Sequence, residues 1–82
     1  MNNIDISGLE AFPDEPRVFE PEGKEFVILS DVYYETDGLD KGDIVKMERN
    51  NNSSRTLFVT KNGRRLWLGW YMIADIPKGK GA

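Results

Sequence analysis

Two of the chemically most versatile side chains are missing from these 82 residues: the chain has no cysteine and no histidine. The first absence excludes disulfides, thiolate metal sites and a cysteine nucleophile. The second removes the commonest general acid or base at neutral pH. Long apolar runs are also lacking. The start, Met1-Asn2-Asn3-Ile4-Asp5, has neither a basic region nor an apolar one, so neither a secretory leader nor a membrane span is expected and a cytoplasmic location is the default. Carboxylates are what remain for catalysis or metal binding. Glu35, Asp37, Asp40 and Asp43 crowd one stretch, but without the alternating Asp-x-Asp-x-Asp-Gly order of a calcium loop. They read as a solvated acidic loop. The only Gly-x-Gly lies in the C-terminal tail with no helix to follow it, so no phosphate loop is expected. No enzyme, metal or cofactor is expected, and no small-molecule substrate is evident.

What is present divides the chain in two. The net charge of −3 conceals an acidic half and a basic half. Residues 1–43 carry twelve acidic and three basic side chains; residues 44–82 carry two and eight. Either the halves compensate within one molecule, or one of them faces a charged partner.

Proline is concentrated at the start. Residues 1–23 hold Pro13, Pro16 and Pro21 with six acidic residues, a density that forbids a long helix or a central strand. This segment is expected to be an extended acidic N-terminal arm. One helical turn is allowed near Ser7-Gly8-Leu9-Glu10, which has capping-box spacing. Leu9, Phe12, Val18 and Phe19 give the arm enough apolar surface to pack against the rest.

Residues 24–76 read as the folded unit, and 77–82 as a flexible tail. Glu25-Phe26-Val27-Ile28-Leu29 is β-prone and too short for a helix. A long Asp-, Gly- and Tyr-rich excursion ends in the turn signal Lys41-Gly42-Asp43. Ile44 to Arg49 then alternates apolar and charged residues, as a strand with one wet face does. A polar loop over 50–54 leads to Thr56–Lys61, then Asn62-Gly63, then Arg64–Gly69. Asn-Gly between two β-prone runs is the strongest short hairpin signal. A two-residue type I′ turn there would set Val59 opposite Leu66 and Leu57 opposite Leu68 in the core. Phe58 and Trp67 would then stack on the outer face beside Arg65. Trp70-Tyr71-Met72 suits a tight or 3₁₀ turn, and Ile73–Ile76 a short closing strand.

Five short strands joined by a long loop, a polar loop, a tight hairpin and a short turn follow the order of an SH3 domain. Leu39-Asp40-Lys41-Gly42-Asp43-Ile44-Val45 resembles the diverging turn of that family, and Trp70-Tyr71-Met72-Ile73 its last turn. The resemblance implies an all-β fold, a small five-stranded antiparallel SH3-like barrel. Arg55-Thr56 and Gly69-Trp70 stand where the family's proline-peptide groove has an aromatic and a proline, so that groove is not implied. With Gly23-Lys24-Glu25-Phe26, the chain also resembles short, uncharacterised SH3-like proteins of tailed phages. That likeness implies a protein that binds and modulates a host enzyme.

Two function classes follow. In the first, a non-enzymatic protein-interaction module uses Phe58, Trp67 and Arg65, or Tyr33 and Tyr34 with Glu35, Asp37 and Asp40, as its contact surface. In the second, nucleic acid binds the basic hairpin through Arg55, Lys61, Arg64 and Arg65, with Trp67 as a stacking platform. The pI of about 4.8 weighs against the second. For Phe58 and Trp67 themselves, the competing expectation is a cover supplied by the arm, through Phe12, Val18 or Phe19. That cover would bring acidic residues 14–22 to Arg64 and Arg65.

Overall fold

The computed structural model describes residues 5–30 and 41–77. They form an all-β unit of five strands: β1 (Glu25–Ile28), β2 (Ile44–Arg49), β3 (Arg55–Thr60), β4 (Arg65–Gly69) and β5 (Ile73–Asp75). One 3₁₀ turn, Trp70–Met72, joins β4 to β5. Every pairing is antiparallel and the order across the sheet is β4-β3-β2-β1-β5. The sheet is open: β4 and β5 are its two ends.

Alternation decides the faces. In β2, Val45 and Met47 point inward while Lys46 and Glu48 are exposed. In β4, Leu66 and Leu68 are buried while Arg65 and Trp67 are exposed. The core gathers Phe26, Ile28, Val45, Met47, Phe58, Leu66, Leu68, Trp70 and Ile73, with Phe12 and Met72 packed against it. Its centre is aromatic. Phe26, Phe58 and Trp70 meet pairwise edge-to-face at 5.3–5.9 Å between ring centroids. Phe12 adds a fourth ring, edge-on to Phe26 and Trp70. Each such contact contributes about 0.5–1.5 kcal/mol beyond area burial.

The β3–β4 hairpin departs from the expected turn. Gly63 has φ +88°, whereas Asn62 stays out of the left-handed region. The Gly63 N–H donates to the Thr60 carbonyl and the Thr60 N–H to the Arg64 carbonyl, both at 2.9 Å. This closes a three-residue loop: a type I turn followed by a left-handed glycine. The extra residue moves the register by one. Phe58 pairs with Leu66, Leu57 with Trp67 and Val59 with Arg65. All of β3 is therefore turned over relative to expectation, because successive strand residues point to opposite faces. Thr56 and Phe58 go inside; Leu57 and Val59 lie half-buried on the outer face.

A bulge at Glu48-Arg49 interrupts the β2–β3 ladder. Buried Thr56 repairs it. Its hydroxyl donates to the Arg49 carbonyl and accepts the Asn51 N–H. That is why a polar residue can sit in the core.

The segment before β1 is held at several points. Phe12 N–H donates to the Ile73 carbonyl, on the open edge of β5. Gly23 N–H bonds to the Met47 carbonyl, so pairing with β2 begins before β1. The Asn50 side-chain amide donates to the carbonyls of both Arg17 and Glu20, at 3.0 Å each. The helical turn allowed near Ser7 is instead a tight turn at Ser7-Gly8, with Gly8 at φ +79° and Leu9 N–H bonded to the Ile6 carbonyl.

Candidate functional site

The register change separates two residues that the sequence places together. Phe58 is fully buried, and Trp67, half-exposed at 49 %, looks the other way. Phe58 is thus a core residue rather than a contact residue. The cause is the aromatic cluster: inward, Phe58 meets Phe26 and Trp70; outward, it would meet solvent.

Trp67 does have company. Gly69 lies two residues along β4, on the same outer face, and a Cβ added there would run into the Tyr71 ring. Tyr71 is therefore folded back over Gly69, itself half-exposed. The outer face so presents two half-exposed aromatics in successive rows of one strand. Leu57 lies beside Trp67 and Arg55 beside Gly69. Only glycine at 69 lets the Tyr71 ring approach the backbone this closely, and that spacing was the available signal for a residue the sequence reading missed.

Several cations share the face of the pair. Lys46 stands opposite Val59 and Arg49 opposite Leu57 on β2. Arg65 flanks Trp67 on its own strand, and Lys61 and Arg64 cap the hairpin. The Arg65 Nε–H donates to both carboxylate oxygens of Glu48, at 2.8 and 3.0 Å. Among the described residues, Lys46, Arg49, Arg55 and Lys61 have no carboxylate partner. An open groove of about 230 Å³ runs alongside, lined by Glu25, Ile44, Lys46, Val59, Thr60 and Lys61.

The described residues of the arm do not cover this face. Phe12 packs on the core side, while Val18 is 48 % and Phe19 95 % exposed. The expected approach of acidic residues 14–22 to Arg65 is replaced by local pairing. Glu20 takes hydrogen bonds from Arg17 (2.9 and 3.1 Å) and Lys24 (2.9 Å), and Lys24 also reaches Asp75 at 3.0 Å. Burial, the largest single influence, pushes the Glu20 carboxyl upward; the bonds from Lys24 and Arg17 together outweigh it and leave the group below its ordinary value. Lys24 is raised, first by its hydrogen bond to Glu20. The Arg17 guanidinium also lies 3.9 Å over the Phe12 ring, tying the charge cluster to the core.

Tyr33, Tyr34, Glu35, Asp37 and Asp40 lie outside the described residues. Among the described residues no group of three or more acidic side chains could hold a metal ion, and no helix is long and apolar enough to cross a membrane. Comparison with protein-family models, with curated proteins and with solved structures finds no match.

Proposed function

We propose that this protein is a non-enzymatic protein-interaction module that binds and modulates a larger enzyme, with the outer face of β2–β3–β4 as its contact surface. The observation that carries this is the half-exposed Trp67, flanked by Arg65 and by Tyr71 over Gly69. Trp, Tyr and Arg are the side chains most enriched at the energetic centres of protein interfaces. A monomer gains little by leaving two large rings in water beside a core already filled by Phe26, Phe58 and Trp70.

The SH3-like reading belongs to the same proposal. A sheet ordered β4-β3-β2-β1-β5, with a 3₁₀ turn between β4 and β5, supports it. So does the Lys41-Gly42 turn into β2, where Gly42 takes φ +92° and donates to the Ile28 carbonyl. On this proposal the larger enzyme is a host enzyme, as the sequence resemblance to small phage proteins implies.

A second reading, nucleic-acid binding, is favoured by one observation: Arg55, Arg65, Lys46 and Arg49 lie on the same face of the sheet as the aromatic pair. Affinity capture from lysate of the cells that express the protein tests the first reading. Wild type is expected to retain one stoichiometric protein that Trp67→Ala, equally folded, releases. Equal recovery by both, or recovery by neither, would overturn it.

A further inference from the structure

The β4 strand is an end of the sheet, and hydrogen-bond alternation says which of its groups are turned outward. The Thr60 N–H donates to the Arg64 carbonyl at 2.9 Å, and the Trp70 N–H donates to the Ser54 carbonyl at 3.1 Å. These two bonds bracket the β3–β4 ladder. Between them an antiparallel pair alternates strictly, so Leu66 and Leu68 bond to β3. The backbone groups of Arg65 and Trp67 then point off the edge, away from β3. Among the described residues no strand pairs with that side of β4.

Resting on the reading that this face contacts a protein, we infer that the partner supplies an extended acidic segment that adds to the β4 edge as a sixth strand. Main-chain bonds to Arg65 and Trp67 set its register. Alternate side chains, roughly 6.6–7 Å apart, fall beside the successive outer-face rows of Arg65, Trp67 and Tyr71 over Gly69. Apolar side chains rest on the Trp67 and Tyr71 rings, and carboxylates reach Arg55 and Arg65. Charge complementarity chooses the occupant. Arg65 and Arg55 repel a basic strand, including β4 of another copy, and they favour an acidic one. Nucleic acid is the weaker fit. The chain as a whole is acidic, with a net charge of −3, so a long polyanion is repelled more strongly than a short peptide carrying few carboxylates. Glu48 also sits within the face on Arg65.

Selection of a random displayed dodecapeptide library against the full chain tests this, with a random single-stranded DNA library run in parallel. Enriched peptides are expected to alternate Asp or Glu with apolar residues. Their affinity should fall roughly tenfold or more in Trp67→Ala and in Arg55→Glu. Gly69→Ala, which drives the Tyr71 ring off the strand, should weaken them severalfold. Bound peptide should also slow hydrogen exchange at the amides of Arg65 and Trp67. Enrichment of neutral or basic peptides, unchanged exchange at those amides, or DNA ligands without peptide ligands would overturn the inference. If Trp67-dependent protein capture persists beside such a result, only the inference falls. If it is lost as well, the contact face falls with it.

Discussion

Phe58 and Trp67 are separated by one strand pairing and have opposite fates. Phe58 is fully buried among rings, so Phe58→Ala should cost about 3–5 kcal/mol in urea unfolding. Trp67 keeps half its surface in water, and Trp67→Ala should cost about 1–2 kcal/mol. Binding should show the reverse ranking: Trp67→Ala abolishes capture in a folded protein. Glu20 is the residue to titrate. Its carboxyl sits below the ordinary 4.5, so its contribution is present above that pH. The contribution is lost as pH falls below 4.5 and through the folded value, because the unfolded chain takes the proton first. Glu20→Gln should therefore lose stability at neutral pH and show a shallower decline on acidification. An unchanged acid limb would contradict the pairing with Arg17 and Lys24.

At the scale of elements, the β3–β4 turn separates two geometries by substitution. A type I′ turn needs φ > 0 at both Asn62 and Gly63; the observed loop needs it at Gly63 alone. Asn62→Ala should then cost about 0.5 kcal/mol or less. Gly63→Ala should cost about 1–2 kcal/mol from backbone strain, since its added Cβ meets no neighbour. The element boundaries were largely legible in the sequence: β2 runs over the expected residues, β5 closes where the aromatic turn ends, and Trp67 with Leu66 and Leu68 took the expected sides. The face of β3 was not legible. Asn-Gly satisfies both turns, and the choice falls to packing between distant strands, where Phe26 and Trp70 recruit Phe58. Nor was Asn50 legible as a clamp on Arg17 and Glu20, because a polar loop residue gives no sign of what lies 30 positions upstream. Asn50→Ala should cost about 1–2 kcal/mol and speed exchange of the Phe12 amide, which bonds to Ile73.

At the scale of the whole molecule, the described residues show where the charges lie. In the segment before β1, Glu20 pairs with Arg17 and Lys24, and Phe12 tucks against the core. Lys46, Arg49, Arg55 and Arg65 of the basic half lie on the outer face of the sheet with Trp67 and Tyr71. Among the described residues, the acidic segment before β1 leaves the basic aromatic face uncovered. Phe19, at 95 % exposure on a turn braced by Glu20 and Asn50, is the competing contact point and a natural comparison. The most direct measurement keeps Trp67 and places a photo-cross-linking side chain at position 49, in the same outer-face row, and in a second variant at position 19, each in the full chain in lysate. The account predicts one discrete protein adduct from position 49, competed away by unmodified protein but not by Trp67→Ala. An adduct from position 19 alone, or none from 49, would contradict it.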